Sequence, residues 1–331
     1  MTGPTLLDSL HAAPEPKRDR WGRPLIPHPQ TGREMAFTRV TTFAKSISDT
    51  FALTKWELRM ALKGLTLRPD LFSLVSVTPT TDKKTLDQVA VDAKEAAGSS
   101  VAARQGTAKH TITERVDRGE DVVVPPEFAA DISAYSRALA AGKLAVDPNW
   151  IEGLVVIPEF NLAGSFDRLL RPLWRPTGHL VGDLKSGRDV ISFGMLEISV
   201  QLACYAHGAA LWDTRTQTYR PLPPIDQDVA VVMHMPVGSG TCDLYAVDIK
   251  AGWEAAQLCA DVRRWRTRKN LAMPWADWRA GDEESVIAEI RAAESVTELE
   301  LIWQRAVSRG AWTGEHTSAA KARKYDLSHT N

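Results

Sequence analysis

Apolar residues recur at helical spacing through residues 38–63, TRVTTFAKSISDTFALTKWELRMALK, and predict a helix there with Thr41 or Thr42 near its start. A polar helix is expected over 80–118, with a break near AGSS. The period then shortens. GLVVIPEF (153–160) and LAGSFDRLL (162–170) predict two strands close enough to pair as a hairpin, and HLVGDLK (179–185) a third. A long helix fits 194–212. Strands follow at 229–237 and 242–250, joined by the turn GSGT. A helix beginning near Gly252 carries DVRRWRTRK. The last segment, 276–331, is helical again, and Ser295 and Glu298 have capping-box spacing ahead of its apolar run. Residues 1–35 are rich in Pro, Arg and His without periodicity, and predict an extended arm. The middle order of helix, three strands, helix and two strands predicts an α/β domain over 36–275. Its central mixed β-sheet is flanked by helices, with N- and C-terminal helical additions.

Net charge is −1, so nucleic-acid binding would need a local basic stripe rather than a global field. The cysteines Cys204, Cys242 and Cys259 are scattered, with no CxxC, and fit neither a disulfide framework nor a cysteine metal cluster. No apolar run is long enough to span a bilayer, and the N-terminus lacks a signal-peptide core. A cytoplasmic protein with no membrane partner is expected. No GxxxxGK[ST] loop is present, so no helicase motor is expected on this chain.

Four short pieces carry candidate chemistry. On a strand over 179–185, Asp183 and Lys185 share one face while Leu180 and Leu184 take the other. The pair is either a surface ion pair or an acid that holds a metal beside a lysine that works on a water. In GTAKHTITERVDRG (106–119), His110 and Glu114 lie four apart and share a helical face. Alone, such a histidine is more often structural. On the strand over 162–170, Asp167 shares a face with Ser165 and Leu169, opposite Phe166 and Leu170. It must be solvated, paired with Arg168 or Arg171, or metal-bound. Gln201 and Tyr205 share a helical face, which alone is an ordinary half-buried one.

In this order the four pieces resemble the PD-(D/E)xK nuclease superfamily, and within it the RecB-like exonuclease branch. That branch includes the RecB and AddB nuclease domains, the CRISPR spacer-acquisition nucleases and exonucleases encoded by phages. Its pattern stands here as Gly106-Thr107…His110…Glu114, Gly164…Asp167, Asp183-Leu184-Lys185 and Gln201…Tyr205. The resemblance covers residues 38–270. It implies a restriction-endonuclease-like core that binds Mg²⁺ or Mn²⁺ through Asp167, Asp183, the backbone carbonyl of Leu184 and His110, whose imidazole favours Mn²⁺. It also implies that Lys185 orients or deprotonates the attacking water and steadies the phosphorane charge. Glu114 would assist His110 or a metal-bound water, or simply pair with Arg118. Gln201 and Tyr205 would sit beside the site, and Glu159 is a more distant candidate ligand. Several relatives hold an iron–sulfur cluster with four cysteines. Three cysteines cannot supply four ligands, so no cluster is expected.

Positive charge for the DNA backbone is offered by Arg168, Arg171, Arg175 and Arg188 around the acidic motifs. RRWRTRK (263–269) adds Arg263, Arg264, Arg266 and a stacking Trp265, or is a solvated helix face. The resemblance implies a metal-dependent exonuclease acting on linear single- or double-stranded DNA in phage or bacterial recombination, repair or replication. Its partner class would be a helicase or a single-strand annealing or binding protein. A structure-specific or single-strand endonuclease is the alternative within the enzyme class. An inactive DNA-binding or scaffold subunit is the alternative outside it, but it commonly lacks the acid or the lysine that this chain keeps.

Overall fold

The computed structural model describes residues 15–329. The described residues form two compact units, divided between Arg266 and Thr267. Residues 1–14 of the expected arm lie outside the described residues. From residue 15 the arm is not loose. Strands β1 (Leu25–Pro27) and β2 (Glu34–Ala36) form an antiparallel hairpin. Gly32 turns it with a φ of +67°, a conformation glycine adopts without strain. Ile26 and the following Phe37 are buried against Val156, Ala163 and Trp212. Strands of three residues are too short to show a period, which is why the sequence pattern hid them.

The helix expected over 38–63 is broken. Thr38–Arg39 forms β3 and Val40–Ala44 forms α1. A 3-10 turn follows at Lys45–Ile47, and α2 runs Phe51–Leu67. Ser48 is extended, and Asp49 accepts the N–H of Phe51 at 2.9 Å, the local side-chain bonding by which Asp interrupts helices. Helix α3 (Pro69–Val77) begins on a proline, and α4 (Lys83–Ala96) is capped by Asp82 on the N–H of Thr85. These three helices share a small core of Leu71, Val89 and Ala93. The polar helix resumes after the expected break as α5 (Val101–Asp117), and α6 (Pro126–Ala141) follows.

The sheet is built from β4 (Leu144–Ile157), β5 (Leu162–Pro172), β6 (Leu180–Lys185), β7 (Ala210–Asp213), β8 (Thr218–Arg220), β9 (Val229–His234) and β10 (Asp243–Asp248). Helix α7 (Val190–Phe193) leads into α8 (Met195–Ala206), and α9 (Ile249–Arg266) closes the unit. Strand order is β10-β9-β6-β5-β4-β7-β8, with β3 added beside β5. The β6–β9 and β3–β5 pairs are parallel and the others antiparallel, so the sheet is mixed. One face carries α1, α8 and α9 over a core that includes Phe43, Leu169, Val181 and Leu202. The other carries α6 over Leu170, Leu180, Leu184 and Met233, with Ile112 of α5 at its margin. The helix expected over 194–212 stops at Ala206, because the chain turns at Gly208 to start β7. A Cβ on Gly208 would lie 1.9 Å from Val155 Cγ2.

The second unit packs α10 (Trp275–Ala292), α11 (Val296–Ser308) and α12 (Gly314–His329) around Ile290, Ala293 and Leu299. Ser295 caps α11 by accepting the N–H of Glu298 at 3.2 Å. Among the described residues no helix is long and apolar enough to cross a membrane.

Candidate active site

Strands β5 and β6 run antiparallel with Arg168 opposite Gly182, which sets Asp167 level with Asp183. Alternation holds along β6, where Val181 joins the α8 side and Leu180 and Leu184 join the α6 side. It fails along β5. Phe166 and Leu169 lie in the same core, although strict alternation would separate them, and Ser165 is exposed. Strand β5 changes face between Phe166 and Asp167, close to where its partner β4 shifts register between Val146 and Ile151. That irregularity turns Asp167 towards Asp183.

Asp183 is 1 % exposed, and neither carboxylate oxygen accepts a hydrogen bond. Lys185 Nζ lies 2.6 Å from its Oδ2, an ion pair whose angles do not make a well-directed hydrogen bond. Burial, then the charge of Asp167, push the Asp183 carboxyl up to about 7. Burial alone would lower Lys185, but Asp183 and Asp167 more than offset it and its ammonium is held above the ordinary value. Asp167 Oδ2 accepts the N–H of Leu184 at 2.8 Å and lies 3.5 Å from His110 Nδ1. Burial lowers His110, against the pull of Asp167 and a hydrogen bond to the Leu184 backbone. Its ring is therefore neutral at pH 7, the form that offers a lone pair to a cation.

Helix α8 delivers Gln201 and Tyr205. Gln201 Nε2 donates to Tyr205 Oη at 3.4 Å. Burial, then Asp183 and Asp167, raise Tyr205 far above its ordinary value, so it stays a neutral phenol beside the two acids. Two glycines of the motifs have steric reasons. A Cβ on Gly164 would sit 3.1 Å from the Tyr205 ring and from Val40, and one on Gly106 would sit 2.5 Å from Ser186 Oγ. Gly106 thus lets α5 close on the chain just past Lys185.

A cleft of about 420 Å³ opens here, lined by Thr107, His110, Glu114, Glu152 and Ser186 among others. Sequence reasoning missed Glu152. It sits in β4 with a φ of +55°, and burial, then Asp167 and Glu114, push its carboxyl up to about 8. Its signal was faint: an acid just ahead of Gly153 at the head of an apolar run. Burial also raises Glu114, which hydrogen-bonds Glu152 and lies 3.7 Å from Arg118. Glu114 therefore meets Arg118 and a second acid rather than His110.

Arg168 is not on a DNA-facing surface. It is fully buried on the α6 side of β5, where its guanidinium pairs with Asp117 at 2.5 Å and meets Tyr135 Oη and Thr113 Oγ1. The strand irregularity that brings Asp167 into the site sends Arg168 into the core. Arg171 and Arg188 are exposed, and Arg175 pairs with Asp226 at 2.7 Å. In α9, Arg263 reaches Thr38 and Arg266 reaches the Ser46 carbonyl, Arg264 pairs with Asp261, and Trp265 is exposed. Two cations of the basic run are thus spent tying α9 to the segment around α1. Glu159 accepts from Gln257 at 3.0 Å and does not line the cleft.

Among the described residues, no three His, Cys, Asp or Glu side chains converge into a ready-made metal group. The donor chemistry nonetheless fits a divalent cation: a neutral imidazole and two carboxylates, of which the buried Asp183 has only Lys185 beside its Oδ2 and nothing on its Oδ1. Compared with known proteins, the chain matches no family model and no curated protein.

Proposed function

We propose that the chain is a divalent-cation-dependent nuclease of the PD-(D/E)xK, RecB-like kind that degrades linear DNA from its ends. The observation that supports this most is the buried Asp183 carboxylate, with no hydrogen bond accepted, at the meeting point of Asp167, Lys185 and Tyr205, with His110 against Asp167. An acid in that position has a desolvation cost that a bound cation would offset. Asp167, Asp183 and His110, with the Leu184 backbone, would hold Mg²⁺ or Mn²⁺. When bound, the ion would neutralise the phosphate and make water a better nucleophile. Lys185, kept charged by its two acidic neighbours and so without a lone pair to take a proton from water, donates to a non-bridging phosphate oxygen as negative charge grows there. Tyr205, a phenol at all physiological pH, accepts from Gln201 and adds no charge beside the two acids. The walls of the cleft, Glu114 and Glu152, hold protons more tightly than free carboxylic acids and so repel an incoming phosphate less.

The test incubates purified protein and Mn²⁺ with end-labelled linear and closed-circular DNA, single- and double-stranded. Loss of linear substrates with circles spared supports the exonuclease. Cleavage of circles favours the endonuclease. Absence of any cation-dependent cleavage, or a Lys185→Ala protein as active as wild type, overturns the reading.

A further inference from the structure

Helices α11 and α12 of the second unit enclose a groove of about 270 Å³ that the cleft chemistry does not use. Its floor is apolar. Leu299 is buried, Trp303 is 47 % exposed, and the partly buried Trp312 lines it with its indole N–H donated to Thr317 Oγ1 at 2.8 Å. One wall is cationic. Lys321 and Lys324 lie one turn apart on α12, both exposed, and among the described residues neither is in an ion pair. The opposite wall, on α11, carries Glu300.

The volume lies at the lower edge of the roughly 300–1,000 Å³ of small-molecule sites and is enough for one or two apolar side chains of a peptide. Half-exposed tryptophan at the mouth of a packed apolar pocket is the composition of a protein-binding hot spot. The charges decide between peptides. Two unpaired ammonium groups on one wall attract carboxylates, and Glu300 repels them from the other, so the groove orients an acidic segment as well as holding it. The chain as a whole has a net charge of −1, so this preference is local and not a general attraction for acids.

We propose that the α11–α12 groove docks an acidic peptide segment of a partner protein, with one or two of its apolar side chains over Leu299, Trp303 and Trp312 and its carboxylates on Lys321 and Lys324. The proposal goes beyond the nuclease reading and stands without it, since none of these residues belongs to the cleft.

The experiment pans a random decapeptide library against the full-length protein and measures the best binder by fluorescence anisotropy. Binding is compared for wild type, Trp303→Ala and the Lys321→Glu/Lys324→Glu double variant, with thermal melts to show that the variants remain folded. Enriched peptides should combine acidic with aromatic or aliphatic residues. Their affinity should fall roughly tenfold or more in the charge-reversed protein and in Trp303→Ala. Enrichment of basic peptides, no enrichment at all, or binding unchanged in the charge-reversed protein overturns the proposal. Preferential binding of a single-stranded oligonucleotide at Lys321 and Lys324 overturns it too.

Discussion

Replacing Asp117 by Asn tests whether Arg168 belongs to the scaffold or to DNA. The Arg168 side chain is 0 % exposed and that of Asp117 is 5 % exposed. Around the pair, Tyr135 donates to Asp117 at 2.9 Å and Thr113 lies 3.4 Å from the guanidinium, while Arg168 Nε has no partner. Burial raises the Asp117 carboxyl despite the cation. Burial alone would lower Arg168, but Tyr135, Asp117 and Asp167 outweigh it and keep the guanidinium charged. Asp117→Asn leaves that charge buried with only neutral neighbours on the α6 side, which costs about 3–5 kcal/mol. At about 2–4 °C per kcal/mol for a domain of this size, the melting temperature should fall by roughly 6–20 °C. Arg168→Met combined with Asp117→Leu should recover most of this loss, because both desolvation costs disappear with the charges. Urea denaturation of Arg168→Met, Asp117→Leu and the double variant supplies the cycle, with Asp117→Asn measured beside it. Asp117→Asn within about 1 kcal/mol of wild type would refute the buried-pair account. So would a double variant no more stable than Arg168→Met alone. Loss of DNA affinity in a folded Arg168→Met protein would restore the backbone-contact expectation.

Lys185→Ala should still bind Mn²⁺ by calorimetry, yet cleave DNA in single turnover slower by roughly 10²-fold, whereas Asp183→Ala should lose cation affinity and cleavage together. Gly252→Ala should destabilise the first unit by about 1–3 kcal/mol in urea, because its Cβ would fall 2.3 Å from the Ser199 carbonyl oxygen of α8, a backbone atom that cannot swing aside. Burial alone would raise Asp131, but Lys109 and the N–H groups of Gly238 and Gly240 outweigh it and hold the carboxyl below its ordinary value. Its contribution should therefore be complete above the unfolded value of about 3.9 and fade as the pH falls through the lower folded value. Urea midpoints down through that window should drop more steeply in wild type than in Asp131→Asn, and equal slopes would sink the linkage.

The strands that carry the site were legible because their apolar runs are long enough to show a period. The side-by-side placement of Asp183 and Lys185 followed from β6 alone, and the α5 spacing of His110 and Glu114 from its helix. The orientation of Arg168 was not legible. A strict period of two puts Arg168 on one face and Asp167 on the other, but it cannot show which face meets solvent or that β5 switches phase at Phe166. Glu152 escaped for a related reason. Its left-handed backbone lies next to a three-residue irregularity in β4, where no periodic pattern reaches. Strand β7 was hidden inside an apolar run that read as the end of a helix, β8 is three residues in a polar stretch, and only the close approach of Gly208 to Val155 explains why the helix stops. Polar interruption by Asp49 in the expected first helix was visible in the sequence, but its weight against good helical spacing was not.

The residues that aim the site are neighbours of those that would perform its chemistry. Lys109 precedes His110, and Arg168 follows Asp167. Along α5, Lys109, Thr113 and Asp117 recur every four residues and face the sheet, while His110 and Glu114 on the adjoining stripe face the cleft. Lys109 Nζ pairs with Asp131 at 2.8 Å and donates to the Met235 carbonyl at 2.7 Å, and Met235 N–H in turn bonds the Lys185 carbonyl at 2.8 Å. Asp117 holds the C-terminal end of the helix on Arg168. The two ties are about 12 Å apart along the axis, one fixed to Asp131 of α6 and, through Met235, to the end of the strand that bears Lys185, the other to the strand that bears Asp167. A helix pinned at its middle and at its C-terminal end by buried charges can neither slide nor roll without leaving one of them unpaired, at a cost of several kcal/mol. Apolar contacts alone would tolerate a small rotation of α5. The buried pairs do not, and the height of His110 over Asp167 is set by charges that take no part in the reaction proposed for the cleft.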